Sequence, residues 1–325
     1  MTFTDTPFTV QVASITPEAA DILSILLVDP AGRPLPAFTP GAHIDVHVAP
    51  GIVRQYSLCN GPADLHHYQI AVKREPQSRG GSAAIHERLA VGDRLTVGRP
   101  RNNFPLERTG ARPLLLAGGI GITPILSMAR HLAATGEPFA LHYFARSATH
   151  AAFLDRLAES GFGDRVRVHL GLDRDGVERC LDGLFAEHAD DDPYVCGPQP
   201  FIELARATAG RRQPSRPVRF EYFAAPAAAP DPDGPPPGAF LVEIARTGAT
   251  YLVPEDRSIV DVLEEQGVHI EVSCKQGICG TCLVTVLEGV PEHHDHVLSD
   301  ANRAEGKVML ACVSRAKGSR LVLDL

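Results

Sequence analysis

The chain has 325 residues, of which 44% are apolar and 22% charged, and its formal net charge at pH 7 is −8. This length exceeds what a single hydrophobic core usually organises, so we expect two or three domains. The negative charge argues against a nucleic-acid-binding surface. Because the sequence has no run of eighteen apolar residues and no signal-like N-terminus, we expect no membrane span and a cytoplasmic location.

Residues 1–105 consist of short runs in which apolar and polar side chains alternate, separated by glycine and proline turns. HIDVHVA, QYSLCN and YQIAVKRE are examples of these runs. Alternation with a period of two, interrupted by turn residues, is typical of antiparallel strands. We therefore predict an antiparallel β-barrel domain over this part of the chain.

Two stretches of the barrel are candidates for binding a phosphorylated flavin. In RQYS, the planar cation of Arg54 suits a phosphate, Tyr56 can line a ring, and Ser57 can bond to a polar ring edge. The GGS stretch at 80–82 opens a predicted short helix, whose unpaired N–H groups attract phosphate. Taken alone, RQYS favours an ordinary barrel strand.

Strands and helices alternate over residues 106–225, which predicts an α/β domain with a parallel sheet. The predicted strands are LLLAGG, FALHYFAR, VRVHLG and PYVCGP. The predicted helices are PILSMARHLAATG and AAFLDRLAES. In such domains ligands bind where the strands end, at the carboxyl edge of the sheet.

Two loops at that edge are candidates for a dinucleotide site. The first, AGGIGITP, carries Gly118, Gly119 and Gly121 between a strand and a helix, but it lacks the spacing of G-x-G-x-x-G. The second, CGP, begins with Cys196 at the end of a strand. Since many α/β turns are rich in glycine, the first loop alone is a moderate signal and the second strengthens it.

A proline- and alanine-rich segment, 226–238, predicts a linker before a small α+β module at 239–325. In this module FLVEIART and TYLVPE predict a hairpin, SIVDVLEEQG a helix, and CLVTVLEG, VMLACVSRA and LVLDL further strands. The module has thirteen acidic and eight basic side chains, a net charge of −5. This charge suits docking on a basic protein partner, although an ordinary solvated surface is the commoner explanation.

Four cysteines of this module have a spacing that indicates an iron–sulfur cluster. Cys274, Cys279 and Cys282 form a C-x4-C-x2-C run, and Cys312 follows after 29 intervening residues, which is the plant-type [2Fe–2S] spacing. Glycines at 277 and 280 allow the loop to curl around a cluster. Structural zinc, which favours two C-x2-C pairs, and a disulfide are the alternatives. The HHDH run, 293–296, predicts a solvated acidic loop rather than a metal chelate.

A [2Fe–2S] cluster takes one electron at a time, whereas a nicotinamide gives up a hydride. A flavin connects the two because it is stable at three redox levels, so the cluster favours a flavin site in RQYS and a dinucleotide site in the α/β domain.

The chain resembles the phthalate dioxygenase reductase family in its motifs and their order, which are RQYS, GGS, AGGIGITP, CGP and the four cysteines. The resemblance covers essentially the whole chain, and it is greatest to the reductase components of vanillate O-demethylases.

The resemblance implies an FMN-binding barrel, an NAD-binding α/β domain and a β-grasp ferredoxin domain. It implies that FMN contacts Arg54, Tyr56, Ser57, Ala71, Val72, Lys73, Gly80, Gly81 and Ser82. It implies a dinucleotide site made by Gly118, Gly119, Gly121, Cys196, Gly197 and Pro198. Thr123 and Phe223 would adjoin the flavin, Phe223 covering the ring face that nicotinamide must reach, and Cys196 would lie beside the reacting carbon. Cys274, Cys279, Cys282 and Cys312 would ligate the cluster.

NADH is the expected donor. Arg146 and Ser147 could accept the 2′-phosphate of NADPH, whereas Asp173 at the next strand end would repel it. The expected reaction is electron transfer from NADH through FMN and the [2Fe–2S] cluster to a partner Rieske-type oxygenase. The alternatives are the same chain of carriers serving a cytochrome P450, and an iron–sulfur redox sensor without turnover.

Overall fold

The structure is a computed structural model that describes residues 6–49, 52–76, 80–223, 239–318 and 320–325. The chain divides into two compact units, Met1–Phe223 and Ala224–Leu325. The predicted linker, 226–238, lies outside the described residues. Within the described ranges, no helix has both the length and the apolar character needed to cross a bilayer.

The first unit begins with the antiparallel barrel that the alternating runs predicted. Its six strands and one helix are β1 (Phe8–Ala19), β2 (Ile22–Val28), β3 (His43–Ala49), β4 (Ile52–Ser57), β5 (Tyr68–Lys73), α1 (Gly81–Arg88) and β6 (Arg94–Val97). The sheet order is β4-β3-β6-β1-β2-β5, and an antiparallel bridge between Leu58 and Ile70 brings its two outer strands together. The side chains of Val10, Ile25 and Ile44 are fully buried inside it.

The second half of this unit is a five-stranded parallel sheet with the order β11-β10-β7-β8-β9. Its strands are β7 (Pro113–Gly118), β8 (Ala140–Ala145), β9 (Val166–Leu170), β10 (Asp192–Cys196) and β11 (Arg219–Glu221). Its helices are α2 (Ile122–Thr135), α3 (Leu154–Ala158), α4 (Arg174–Glu187) and α5 (Gln199–Arg212). The four predicted strands are confirmed, while β11, α4 and α5 were not predicted.

One predicted helix is much shorter than its sequence suggested. AAFLDRLAES was expected to be helical over 151–160, but α3 begins at Leu154 and ends at Ala158. Phe153 has a φ of 65° and its ring is buried, so it cannot continue a right-handed helix. Burial of the aromatic ring therefore decides where this helix begins.

The second unit is built on a mixed sheet with the order β13-β12-β18-β14-β16. Its elements are β12 (Phe240–Ile244), β13 (Thr250–Val253), α6 (Ile259–Glu265), β14 (Leu283–Glu288), β15 (Pro291–Glu292), α7 (Asp300–Glu305), β16 (Val308–Leu310), β17 (Arg315–Ala316) and β18 (Arg320–Leu323). The predicted hairpin is β12 and β13, which pair antiparallel, and the predicted helix is α6. Strand β18 lies in the sheet between β12, to which it is parallel, and β14.

The prediction of one strand over VMLACVSRA was wrong. Strand β16 ends at Leu310, and a turn separates it from β17. In this turn the N–H groups of Val313 and Ser314 donate to the Leu310 carbonyl, and the Ala311 N–H donates to the Cys282 carbonyl. The turn thus brings Cys312 to the loop that carries the other three cysteines.

Within the first unit, helix α2 of the α/β half is hydrogen-bonded to the barrel. Ser127 Oγ donates to the carbonyl of Asn60 over 3.0 Å. Arg130 Nη1 donates to the carbonyl of Cys59 over 2.6 Å and to Gln69 Oε1 over 3.0 Å. These acceptors lie at the end of β4 and in β5, so one helix holds both strands that carry the predicted flavin contacts.

Replacing Arg130 by methionine should destabilise the first unit by roughly 1–3 kcal/mol, because the buried Cys59 carbonyl then loses a charged donor. Urea unfolding of the full chain measures this change. Arg108→Met is the matched control, since the Arg108 side chain is 80% exposed and faces Glu137 at 3.4 Å. Equal stability of the two variants would contradict a holding role for Arg130.

Candidate functional site

The two predicted phosphate-binding elements of the barrel lie against each other. Arg54 is in β4, and Gly81 is the first residue of α1. A Cβ on Gly81 would lie 2.7 Å from both Cγ and Nε of Arg54, so only glycine allows the arginine to cross the helix start at this distance. Gly80, which has no side chain, is the N-cap residue of this helix. Two features that attract an anion therefore share one place.

The other predicted flavin contacts occupy the adjoining strands. Burial raises the pKa of Tyr56 to about 12, and Ser57 is buried at the end of β4. Ala71 packs against the core of the α/β half. The Val72 side chain is in the barrel core and its carbonyl lies 2.9 Å from His86 Nε2. Lys73 forms an ion pair with Glu75 at 3.0 Å.

Ser82 was predicted to meet the flavin phosphate. Its hydroxyl accepts a hydrogen bond from the N–H of Glu75 over 3.1 Å. This bond ties the start of α1 to the segment that follows β5. Ser82 therefore helps to place the helix start, and its hydroxyl proton remains available to a ligand.

The two predicted dinucleotide loops meet at the carboxyl edge of the parallel sheet. A Cβ on Gly121 would lie 2.2 Å from the Cys196 carbonyl oxygen, and one on Gly197 would lie 3.0 Å from the Gly118 Cα. A Cβ on Gly118 would be 2.9 Å from the Phe201 ring and 3.1 Å from Pro198 Cδ. The glycines are needed because two backbones pass each other without space for side chains. Gly119 lies in the turn between β7 and α2.

Three more predicted residues surround this edge. Thr123, in the first turn of α2, is buried and donates from Oγ1 to the Ile120 carbonyl over 3.0 Å. Phe223 follows β11 and packs, half-buried, against the core shared by the barrel and the sheet. Asp173 follows β9 and caps α4, its Oδ1 accepting from the Gly176 N–H over 2.8 Å.

Two polar residues that the sequence analysis missed join the flavin strands to the nucleotide loops. Glu221 ends β11 and pairs with Cys196 of β10, and His43 of β3 pairs with Ser57 of β4. His43 Nδ1 lies 3.9 Å from Glu221 Oε1, and Cys196 Sγ lies 3.5 Å from the Glu221 carbonyl. The available signal was an acidic residue within the aromatic run FEYF.

Burial controls the charge of both new residues. It raises the pKa of Glu221 to about 8 and lowers the pKa of His43 to about 4. Both side chains are therefore mainly neutral at pH 7, and their contact is not an ion pair. Burial also raises the pKa of Cys196 well above its usual value, so this group is a thiol and not a thiolate nucleophile.

The four cysteines of the second unit are grouped as two pairs, and all four are buried. Cys274 Sγ lies 3.1 Å from Cys279 Sγ, and the thiols of Cys282 and Cys312 are in hydrogen-bond contact. Among the described residues, no three His, Cys, Asp or Glu side chains form a group suited to one metal ion. Two pairs of thiols fit two irons better than a single tetrahedral zinc.

A backbone amide points at one of these sulfurs. The Gln276 N–H donates to Cys274 Sγ over 3.3 Å. In each pair the hydrogen bond between the two thiols lowers the pKa of one member and raises that of the other: it lowers the pKa of Cys279 to about 5 and that of Cys282, and it raises the pKa values of Cys274 and Cys312. An amide donor beside these sulfurs is the environment that stabilises the thiolates of an iron–sulfur cluster.

The HHDH segment is not the solvated loop that was predicted. His294 is exposed, but Asp295 is 1% exposed and the His293 side chain is 9% exposed. The segment returns to the cysteine loop, where the His296 N–H donates to the Gly277 carbonyl over 2.9 Å. Its burial arises from tertiary contacts that its polar composition does not reveal.

Comparison with known proteins agrees with this arrangement. A family model described as a 2Fe-2S iron-sulfur cluster binding domain matches residues 242–317. The vanillate O-demethylase oxidoreductase of Pseudomonas sp. (strain HR199 / DSM 7063) is 45% identical over 309 residues, which cover 94% of this chain and 96% of that protein. Oxidoreductase NdmD of Pseudomonas putida is 44% identical over 98% of this chain, which spans 54% of that longer protein.

Two solved structures resemble the chain over its whole length. Phthalate dioxygenase reductase matches with a TM-score of 0.74 at 38% identity, covering 99% of this chain and 98% of its own. An intact type IV self-sufficient cytochrome P450 monooxygenase matches with a TM-score of 0.84 at 39% identity, and the chain spans 41% of it. The barrel, the parallel sheet and the iron–sulfur domain together define a modular iron–sulfur oxidoreductase. The chain belongs to the phthalate dioxygenase reductase family, in which the iron–sulfur domain comes last.

The raised pKa of Glu221 predicts a pH-dependent stability. The folded protein keeps a proton on Glu221 up to about pH 8, whereas an unfolded chain loses it near 4.5. Stability should therefore fall as pH rises from 4.5 to 8, and Glu221→Gln should remove this part of the fall. Thermal unfolding of both proteins across this range measures it, with the exposed Glu159→Gln as control. If the stabilities of wild type and Glu221→Gln change with pH in the same way, the raised pKa of Glu221 is contradicted.

Proposed function

We propose that the protein is the NADH-dependent reductase component of a two-component oxygenase system. It accepts a hydride from NADH and delivers the electrons one at a time to a partner Rieske-type aromatic oxygenase or O-demethylase. Bound FMN supplies the conversion from hydride to single electrons, and a bound [2Fe–2S] cluster supplies the one-electron exit. The cytoplasm is the proposed location, which suits a chain whose seven cysteines are free thiols in the described structure.

The observation that carries this proposal is the convergence of three separate sequence motifs. Ser57 and His43 are paired on neighbouring barrel strands, and the His43 side chain contacts Glu221. Glu221 is paired with Cys196 at the nucleotide edge, and the Gly118–Gly121 loop packs against Cys196. A flavin held by the barrel and a nicotinamide held by the loops would therefore face each other. Hydride transfer needs little more from the protein than this orientation.

The protein's own groups have separate roles in this proposal. Arg54 and the start of α1 would hold the FMN phosphate, and Ser57 would orient the polar edge of the ring. Cys196 would pack as a neutral thiol beside the reacting carbon. Phe223 would shield the ring face and would have to move aside when nicotinamide enters. Its half-buried position at the end of the unit suits such a displacement.

NADH is the proposed donor rather than NADPH. The hydroxyl of Ser147 lies 2.8 Å from both His150 Nδ1 and Thr149 Oγ1, so it is already bonded. Asp173 contributes a carboxylate at the neighbouring strand end, where it would repel a 2′-phosphate. Arg146 is exposed and remains the one described feature here that favours the phosphate.

The electron acceptor is proposed to be a separate protein. Cys274, Cys279, Cys282 and Cys312 supply thiolates for a single [2Fe–2S] cluster, and the sequence has no Rieske-type Cys-x-His pattern with which to oxygenate a substrate itself. A cytochrome P450 is the second candidate acceptor, because a self-sufficient P450 monooxygenase includes a region 39% identical to this chain. Reconstitution with each acceptor distinguishes them.

Anaerobic NADH titration of the wild type and of Cys279→Ser tests the electron path. Wild type should show flavin bands over a broad iron–sulfur absorption, both bleached by NADH, and should release FMN on denaturation. Cys279→Ser should lose the cluster and at least tenfold of the NADH-dependent cytochrome c reduction, while ferricyanide reduction, which needs the flavin alone, is largely retained.

Cys180→Ser is the control, since Cys180 is a half-buried cysteine of α4 in the other unit. Loss of both activities together in Cys279→Ser would contradict separate flavin and cluster steps. A wild-type protein that takes up neither flavin nor iron after reconstitution would overturn the proposed function.

Arg54→Ala should weaken FMN retention by roughly tenfold or more, because a charged hydrogen bond to phosphate contributes about 1.5–3 kcal/mol. Equilibrium dialysis of the protein against FMN and riboflavin measures the change. The loss should be specific to FMN, since riboflavin has no phosphate. Arg74→Ala, which removes an exposed arginine paired with Glu87, is the matched control. Unchanged FMN affinity in Arg54→Ala would remove the phosphate role of Arg54.

A further inference from the structure

The HHDH segment and helix α7 contain an acid–base pair with a buried carboxylate, which the electron path described above does not use. The Asp295 side chain is 0% exposed, and Arg303 of α7 is 34% exposed. Arg303 Nη2 donates to the Asp295 carbonyl and lies 3.5 Å from Asp295 Oδ2. A buried carboxylate is costly unless it is paired, so a retained one requires a structural or functional reason.

Asp295 holds a tight turn in place. Its Oδ2 accepts from the N–H of Leu298 over 2.8 Å and from the N–H of Val297 over 3.2 Å. The Asp295 side chain thus organises the backbone that follows it, and Arg303 fixes the backbone at Asp295 itself. His293 and His296 are the other titratable groups that face the pair. His293 Nδ1 lies 3.6 Å from Asp295 Oδ1, and His296 interacts electrostatically with both Asp295 and Arg303.

This turn contacts the cysteine loop at two glycines, Gly277 and Gly280. The His296 N–H donates to the Gly277 carbonyl over 2.9 Å. A Cβ on Gly277 would lie 3.1 Å from the Asp295 Cα and 2.6 Å from Val313 Cγ2, and Gly277 has a φ of 69°. A Cβ on Gly280 would lie 3.6 Å from Val297. The turn therefore fixes the Gly277 peptide from its carbonyl side.

Gly277 directly follows Gln276, whose N–H donates to Cys274 Sγ over 3.3 Å, and it lies against Val313, the neighbour of Cys312. We propose that Asp295 and Arg303 are positioning residues that set the reduction potential of the [2Fe–2S] cluster by holding the backbone of the cysteine loop at Gly277. The inference rests on the proposed function only in requiring that the four cysteines hold this cluster. Neither residue touches the sulfurs, so both act through the turn.

Hydrogen bonds to the sulfurs stabilise the more negative, reduced form of a cluster, so weakening one lowers the potential. Release of the turn should therefore make the cluster harder to reduce. A pure charge effect behaves differently. Removing a nearby anion raises the potential, whereas removing a nearby cation lowers it. Asp295 and Arg303 carry opposite charges, so substituting each separately distinguishes the two mechanisms.

The experiment is an anaerobic spectroelectrochemical titration of the full-length, cluster-loaded protein, with EPR of the reduced cluster. The variants are Asp295→Ala, Arg303→Met and Arg303→Lys, and Asp300→Asn is the control, an exposed acid in the first turn of α7. We expect Asp295→Ala and Arg303→Met both to shift the midpoint potential downwards and to change the EPR g values. Arg303→Lys should restore part of the shift, and Asp300→Asn should match wild type.

Two results would overturn the inference. Shifts of opposite sign in Asp295→Ala and Arg303→Met would mean simple electrostatics, and wild-type potentials and EPR in both would mean that the turn does not act on the cluster. If Asp295→Ala fails to load a cluster, the midpoint potentials and EPR spectra of Arg303→Met and Asp295→Asn test the inference instead. Asparagine keeps one acceptor oxygen for the turn. Absence of cluster from wild type would instead overturn the proposed function itself.

Discussion

Two flat rings exchange a hydride only in direct contact, so the distance between the barrel and the parallel sheet is the constraint on which the first unit depends. Helix α2 meets this constraint because both ligand regions are attached to it. Its first turn follows the glycine loop, while Ser127 and Arg130 donate hydrogen bonds to residues at the end of β4 and in β5. Two of these bonds are made to the backbone carbonyls of Cys59 and Asn60, and the third is made to the side-chain oxygen of Gln69 in β5.

The second unit positions its ligands differently, through the backbone of a single loop. The Gln276 N–H points inwards at the Cys274 sulfur, and the carbonyl of the next residue, Gly277, is held from outside by the HHDH segment. A backbone segment bonded on both sides in this way has little freedom to rotate. Glycine is required there because its positive φ and the nearby Asp295 backbone and Val313 side chain leave no place for a Cβ.

The sequence was most informative where chemistry requires a fixed spacing or period. The cysteine spacing, the alternating barrel strands and the apolar parallel strands all predicted what is observed. Helices α4 and α5 were missed because their apolar stripes are narrow; α4 has three buried residues, Leu181, Leu184 and Phe185. Glu221 and Asp295 could not be recognised as buried, since burial of a carboxylate depends on partners distant in sequence. The strand through Cys312 was wrong for the same reason.

The central position of β18 affects the order in which the iron–sulfur unit can form. Residues 320–323 pair with β12 on one side and β14 on the other, so the sheet stays in two parts until they arrive. During synthesis on a ribosome, the loop that carries three of the cysteines emerges well before this strand. Its thiols therefore spend that interval without the sheet that buries them. Long-range pairing of this kind also slows folding, which lengthens that interval.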